Sequence, residues 1–155
     1  MGKRASEFHR VLVPVKGLPG DAHAISVVSR LIEPKDAELT AVYVIEVAQT
    51  LPLDADLPEE VERGEQALYK AQKVARELCS SRSNFISTDL LQARSAGSAI
   101  VDEAIGRNCD LIVMSTACTH QHGKVRVSET VDYVLTHAPC EVMLLSAPCV
   151  VPTDA

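Results

Sequence analysis

The sequence predicts a three-layer α/β/α domain in which helices cover both faces of a five-stranded parallel sheet. Short apolar runs rich in β-branched residues alternate along the chain with segments whose apolar residues recur every three or four positions. The apolar runs are nearly continuous, which is typical of strands buried on both faces. Because parallel strands need crossover connections and these are right-handed, alternating strands and helices produce this layered α/β fold.

The first strand is predicted over residues 10–15, because this short β-branched run ends at the turn residues 16–20. Asp21 follows the turn and is the predicted N-cap of the first helix. Apolar residues at three- and four-residue spacings extend that helix to about Ile32, and Pro34 lies beyond its end.

The second strand is predicted over residues 38–47, where alternation gives way to a β-branched run. Residues 49–58 contain two prolines and two aspartates and predict a connecting loop. An amphipathic pattern over residues 59–78 predicts the longest helix. Residues 86–91 predict a third strand, and their polar start indicates an edge or a partly exposed position.

Residues 98–105 predict a third helix, which Gly106 ends in the left-handed conformation common after a helix. A fourth strand at 110–114 is followed by a polar loop, a helix from about 128 to His137, and a last strand at 142–145. His137 suits the C-terminal helix dipole, and Pro139 prevents continuation of that helix.

The composition excludes several classes of protein. A net charge of -6 argues against a nucleic-acid surface, which needs basic residues. The longest apolar runs are too short to span a bilayer, and residues 1–9 lack the apolar core of a signal peptide. Five cysteines without CxxC spacing favour reduced thiols in a cytoplasmic protein. We therefore expect one domain over residues 10–147, with disordered tails at 1–9 and 148–155.

Several segments resemble a known family, the universal stress proteins. The similarity rests on residues 11–15 with Gly17, 37–46, 100–104, 110–114 and 137–143, in the predicted element order. The resemblance implies a Rossmann-like fold of the adenine nucleotide alpha-hydrolase type. A weaker similarity to stress-protein domains associated with amino-acid permeases implies, as an alternative function, a cytoplasmic regulatory domain of a membrane transporter.

Many members of that family bind ATP through a G-x-x-G motif, nine further residues, and G-S or G-T, because glycines let phosphates approach backbone N–H groups. In this sequence the motif positions fall on Ser115, Cys118, Ser128 and Glu129, and all four differ from the pattern. Lys16 also replaces the aspartate that usually ends the first strand. The degenerate nucleotide site that the resemblance implies comprises Pro14, Val15, Lys16, Val44, Met114, Ser115, Cys118, Ser128 and Glu129.

Tight ATP binding in the family pose is therefore not expected, and no cofactor is predicted. Glu129 would bring a carboxylate beside the phosphates, and like charges 4 Å apart cost about 4 kcal/mol at an effective dielectric of about 20. An ion pair between Lys16 and Glu129 would fill the empty site. Alternatively, weak binding of ATP, AMP or another small anion in the cleft beyond strands one and four could use a group of basic residues: Lys16, His120, His122, Lys124 and Arg126.

Neither a metal site nor a catalytic site is predicted. Cys118, His120 and His122 could ligate zinc, but no fourth ligand is apparent. The sequence has no G-x-S-x-G nucleophile elbow, and Ser128 and His137 would lie on roughly opposite sides of one helix. We therefore expect that the protein is not an enzyme.

The last strand predicts a twofold homodimer. Its apolar run would leave an exposed edge prone to association, and family members commonly pair this strand with its twin. The alternative is a strand covered by its own helices. The expected function is a non-catalytic, dimeric regulatory or interaction module with a protein partner or a transporter. The expected interface residues are Glu141, Val142, Met143, Leu144 and Leu145.

Overall fold

The computed structural model describes residues 8–32, 37–79, 85–116, 119–121 and 124–146, with the backbone alone at 119–121 and 124–126. The strands are β1 (Arg10–Pro14), β2 (Glu38–Glu46), β3 (Ile86–Ala93), β4 (Leu111–Thr116), β5 (Thr119–Gln121), β6 (Lys124–Arg126) and β7 (Glu141–Ser146). The helices are α1 (Gly20–Leu31), α2 (Pro58–Leu78), α3 (Ala96–Gly106) and α4 (Glu129–His137).

Five strands form one parallel sheet in the order β3-β2-β1-β4-β7, which confirms the predicted sheet. The central strand β1 aligns Val11 with Leu39 of β2 on one side and with Leu111 of β4 on the other. The strand order therefore reverses between β1 and β4. In sheets of this kind ligands bind beyond the carboxyl ends of the strands at such a reversal.

Two hydrophobic cores lie on opposite faces of the sheet. Val11 and Val13 face the first core, whereas Leu12 and Ile112 face the second. Because each central strand contributes to both cores, its apolar run is continuous instead of alternating. The first core includes Ala24, Ile25 and Val28 of α1 with Ala67, Leu68 and Ala71 of α2. The second includes Ile100, Val101 and Ala104 of α3 with Val131 and Val134 of α4.

Two predicted helix-end residues have different roles in the structure. Helix α1 begins at Gly20 after Pro19, so Asp21 lies inside the first turn and is not the N-cap. Gly106 is the last residue of α3, and Asn108 adopts the left-handed conformation with a φ of 53°. Asparagine tolerates this conformation far better than most residues, so the chain turns two residues later than predicted.

Strands β5 and β6 form a separate two-stranded antiparallel sheet between β4 and α4, where the sequence predicted only a polar loop. Each strand has three residues, and Thr119 aligns with Arg126. Three residues are too few to show a recognisable period, which explains why the hairpin was not predicted.

The two edges of the main sheet are β3 and β7. The predicted edge position of the third strand is therefore confirmed. On β7, Val142 and Leu144 pack against the second core, while Met143 and Leu145 pack against the first, and all four remain half-buried. Its apolar residues thus cover both cores at the edge of the molecule. No helix within the described residues is long and apolar enough to cross a bilayer.

Cys109 is expected to react slowly with alkylating reagents. Its side chain is 9% exposed, and burial raises the pKa of its thiol from 9.0 to about 11. At pH 8 its thiolate fraction is about 100-fold below that of an ordinary thiol. Iodoacetamide should therefore label Cys109 about 100-fold more slowly in the folded protein than in urea, measured by peptide mass spectrometry. Equal rates in both states would contradict this assignment.

Candidate functional site

A cleft of about 590 Å³ opens at the carboxyl edge of the sheet, next to the ends of β1 and β4. Its volume is within the range typical of small-molecule sites, and it lies beyond strands one and four, where the cleft was predicted. Loop, helix and strand residues from four separate parts of the chain form its wall. The lining residues are Lys16, Leu18, Pro19, Gly20, His23, Ser115, Thr116, Ser128, Leu145 and Ser146.

Three of the predicted site residues line this cleft: Lys16, Ser115 and Ser128. Four others are buried or half-buried. Pro14, Val15 and Met114 are buried, and Val44 is half-buried against the second core. Glu129 is exposed at the start of α4 and is not among the lining residues, and Cys118 lies outside the described residues.

Sequence reasoning did not identify the other lining residues. Leu18 and Pro19 belong to the turn after β1, and Gly20 and His23 lie in the first turn of α1. Thr116, Leu145 and Ser146 are the last residues of β4 and β7. What these residues share is their position at or just after the carboxyl end of β1, β4 or β7.

The turn between β1 and α1 is organised around the Asp21 carboxylate, which is buried at 8% exposure. Its oxygens accept hydrogen bonds from the backbone N–H groups of Lys16 at 3.0 and 3.1 Å, Gly17 at 2.7 Å and Leu18 at 3.2 Å. Successive N–H groups converge in this way because Gly17 adopts a φ of 78°, which favours glycine. Such a concave arrangement is an anion-binding nest. Here the protein's own carboxylate occupies it.

Burial raises the pKa of Asp21 from its ordinary value of 3.8. The N–H donors and the nearby ammonium group of Lys16 oppose this shift without cancelling it. The carboxylate of Asp21 and the charge of Lys16 therefore interact across the turn.

Ser115 fills the space between the end of β4 and the start of α1. A Cβ atom added to Gly20 would lie 2.8 Å from Ser115 Oγ and 3.1 Å from Ser115 Cβ. These distances are shorter than van der Waals contact, so the two segments approach closely only because residue 20 is glycine. A side chain thus occupies the first of the family's motif positions.

Ser128 caps α4 with its own side chain. Its Oγ accepts a hydrogen bond from the N–H of Val131 at 3.2 Å, and its carbonyl accepts one from Asp132 at 3.0 Å. A helix N-terminus attracts anions partly through its unpaired N–H groups. In α4 one of these donors already has an internal acceptor.

The ion pair expected between Lys16 and Glu129 does not form. Arg107 forms ion pairs with Asp89 at 3.2 Å and with Glu103 at 3.3 Å, and no such contact joins Lys16 to Glu129. Lys16 interacts electrostatically with Asp21 instead. Glu129 lies in the first turn of α4, where the helix dipole favours a negative charge.

His137 ends α4 as predicted. Its Nδ1 lies 3.0 Å from the carbonyl oxygen of Tyr133, and its ring stacks on the Tyr133 ring with centroids 4.1 Å apart. Ser128 lies at the opposite end of the helix, about 13 Å away along its axis. The two residues therefore do not form a nucleophile and base pair.

The cysteine and histidine cluster considered as a zinc site involves Cys118, His120 and His122. Cys118 and His122 lie outside the described residues, and His120 is described by its backbone alone. Among the side chains that the structure describes, no group of three potential ligands could hold a metal ion.

Comparison with known proteins gives a consistent assignment. The model of the universal stress protein family matches residues 7–146. A universal stress protein of Methanocaldococcus jannaschii is 28% identical over 151 residues, which covers 91% of this chain and 84% of that protein.

The fold is also similar to solved structures. The universal stress protein from Archaeoglobus fulgidus has a TM-score of 0.72 at 14% identity, with 88% of this chain and 97% of that chain covered. A structure from the same organism in complex with dAMP has a TM-score of 0.68 at 14% identity, covering 88% and 96%. At this identity the similarity establishes the Rossmann-like fold alone. With the family model matching nearly its whole length, the chain belongs to the universal stress protein family.

Proposed function

We propose that this chain is a non-catalytic regulatory module whose cleft does not bind ATP in the pose that the family's glycine motif supports. The proposal depends on one observation: backbone N–H groups that could bind an anion at the cleft edge are already bonded to side chains of the protein. Asp21 accepts the N–H groups of the turn after β1, and Ser128 caps α4. A triphosphate would lose its hydration without gaining these donors, which is unfavourable.

Side-chain volume supports the same proposal. Ser115 fills the contact with Gly20, where a glycine would leave the backbone accessible. Glu129 adds a carboxylate to the first turn of α4, close in sequence to the cleft residue Ser128. Both features oppose a polyanion at the end of β4.

A second candidate function is weak binding of a small anion such as AMP. Lys16 and His23 line the cleft and offer cationic or hydrogen-bonding groups to a single phosphate. The Archaeoglobus fulgidus relative in complex with dAMP supports considering a monophosphate. This candidate requires fewer backbone donors than a triphosphate does.

Isothermal titration calorimetry of the purified chain against ATP tests the leading proposal. We expect a dissociation constant weaker than about 1 mM, equivalent to a binding free energy of less than about 4 kcal/mol. A comparison variant that restores the motif carries Ser115→Gly, Cys118→Gly, Ser128→Gly and Glu129→Ser. It should bind ATP at least about tenfold more tightly. Micromolar binding of ATP to the unmodified chain would contradict the proposal.

We further propose that the module is a homodimer formed by pairing β7 with its twin. Strand β7 lies at the sheet edge, and its four central residues are apolar on both faces. Twofold pairing of two such edges would satisfy their outward backbone groups and cover these side chains. Met143 is the central residue of the expected interface, so a twofold axis would bring its two copies together.

Sedimentation velocity at micromolar concentration should show a dimer. Met143→Lys is expected to shift the protein to monomers, because two like charges would meet at the twofold axis. Leu53→Lys is the matched control, since Leu53 is 48% exposed in the loop after β2, three strands from β7. Circular dichroism should confirm that both variants are folded. A monomeric wild type would exclude this dimer.

A further inference from the structure

We propose that the solvent-facing side of α2 is a second interface between copies of this chain, in which two α2 helices pack antiparallel about a twofold axis. The interface consists of five residues along the outer face of the helix, named here the α2 stripe. The occupant of this face is therefore a second copy of the same chain. The α2 stripe comprises Glu62, Glu65, Tyr69, Lys73 and Arg76.

The α2 stripe lies on one face of the helix. Its residues follow one another at spacings of three or four positions, which keeps them together on a helix surface. The buried residues of α2, among them Ala67 and Ala71, pack into the first core instead. All five stripe residues are exposed, and the ring of Tyr69 is 65% exposed despite its size. The stripe therefore presents an aromatic ring between charged groups to solvent.

Charge is segregated along the α2 stripe. Glu62 and Glu65 precede Tyr69, whereas Lys73 and Arg76 follow it. Like charges three residues apart on a helix repel each other, and no ion pair joins one of these four residues to another described side chain. The helix dipole acts within the first and last turns, so it accounts for Arg76 but not for the other three charges. Opposite charges from outside the chain would relieve both repulsions.

The arrangement of the α2 stripe is self-complementary. On each side of Tyr69 the charged residues lie four and seven positions away. A twofold axis at Tyr69 would therefore place the two acids of each copy opposite the two bases of the other, with the two Tyr69 rings paired at the centre. The stripe itself carries no net charge, although the chain carries -6. This match of charge and spacing favours a second copy over an unrelated protein.

The α2 contact would be separate from the proposed pairing of β7. Helix α2 packs against β2 and β3, whereas β7 is the opposite edge of the sheet. The inference therefore does not depend on the β7 dimer, and both contacts can form at once. From Glu62 to Arg76 the stripe is about 21 Å long. One helix pair of this length buries less than a standard interface, so we expect association only at about 100 µM chain.

Sedimentation velocity of the Met143→Lys variant isolates this contact, because that substitution removes the pairing of β7. At about 100 µM chain and about 50 mM sodium chloride the variant should form dimers. Raising the salt to about 500 mM should weaken the association at least about tenfold by screening the ion pairs. Adding Tyr69→Ala should weaken it about fivefold. A monomer at low salt would overturn the inference and leave a different protein as the occupant of the stripe.

Charge reversal in the same Met143→Lys background tests the pairing itself. Lys73→Glu with Arg76→Glu makes the stripe wholly acidic, and Glu62→Lys with Glu65→Lys makes it wholly basic. Each variant alone should be monomeric, whereas an equimolar mixture of the two should form heterodimers. Association on mixing would also show that neither variant is misfolded. A mixture that stays monomeric while circular dichroism shows both variants folded would overturn the inference.

Arg30→Glu with Arg63→Glu is the matched control for the acidic variant. It changes the net charge by the same amount at two exposed residues, and Arg63 lies about 120° around α2 from Tyr69. Association should be unchanged, and its loss would show that net charge, not the stripe, is responsible. In the unmodified chain, a dimer that persists at about 500 mM salt indicates β7 pairing, whereas larger species at about 50 mM salt indicate the α2 contact. Each contact can therefore fail without the other.

Discussion

Replacing Gly64 by alanine is expected to lower the free energy of unfolding by about 1–3 kcal/mol, because the added methyl group overpacks the first core. Gly64 is buried on α2 where this helix crosses β2 and β3. A Cβ atom there would overlap Leu90 Cδ1 and lie 2.7 Å from Tyr43 Cδ1. The gain in helix propensity, about 1 kcal/mol, offsets only part of this cost.

Urea unfolding followed by circular dichroism measures the effect. Gly106→Ala provides the matched control, because it is also a helical glycine but has no heavy atom within 4 Å of an added Cβ. We expect this control to be neutral or stabilising by at most about 1 kcal/mol. Similar losses of stability in both variants would show that close packing at Gly64 is not the cause.

Asp21→Ala is expected to lower the free energy of unfolding by about 2–4 kcal/mol, because each buried donor left without an acceptor costs about 1–3 kcal/mol. The carboxylate serves three N–H groups, those of Lys16, Gly17 and Leu18. Water can reach part of this exposed turn, which keeps the total below the sum for three fully buried groups. Asp21→Asn retains one acceptor oxygen and should cost less than alanine.

Glu59→Ala is the control for the charge of Asp21, since both residues are acidic and lie in the first turn of a helix. Glu59 is exposed, so its removal should cost only the dipole contribution of about 0.3–1 kcal/mol. Chemical denaturation of both variants measures the difference. If Asp21→Ala costs no more than Glu59→Ala, the turn does not depend on the buried carboxylate.

The contribution of Asp21 to the free energy of unfolding is expected to fall as the pH rises. Burial raises its pKa above the ordinary value of 3.8. The contribution of this group to stability is therefore complete below that ordinary value and declines as the pH rises through the raised pKa. The stability advantage of wild type over Asp21→Asn should consequently be larger in acid than at neutral pH.

The fold was predictable because it depends on patterns that extend over whole elements. Apolar runs and helical periods identified the five strands of the main sheet and the four helices within the described residues, and the polar start of the third strand indicated an edge or partly exposed position. His137 and Pro139 correctly located the end of α4. The hairpin of β5 and β6 was not predictable, because three-residue strands carry too little periodicity.

The candidate site was predictable only in outline. The cleft was expected beyond strands one and four. The register of the family motif pointed to Ser115 and Ser128, and the end of the first strand pointed to Lys16, and all three line the cleft. Nothing in the sequence pattern indicated that Asp21 would turn back onto the preceding N–H groups instead of capping its own helix. That contact arises from the path of the turn around Gly17.

The sequence by itself determined the α/β layers and the departure from the family's glycine motif, because both follow from residue types in local order. Only the tertiary structure decided which side chains meet in the cleft. Leu18, Ser115, Ser128 and Leu145 come from four distant segments. Their proximity follows from parallel strands ending at the same sheet edge, and close contacts such as that of Ser115 with Gly20 depend on packing that no local pattern specifies.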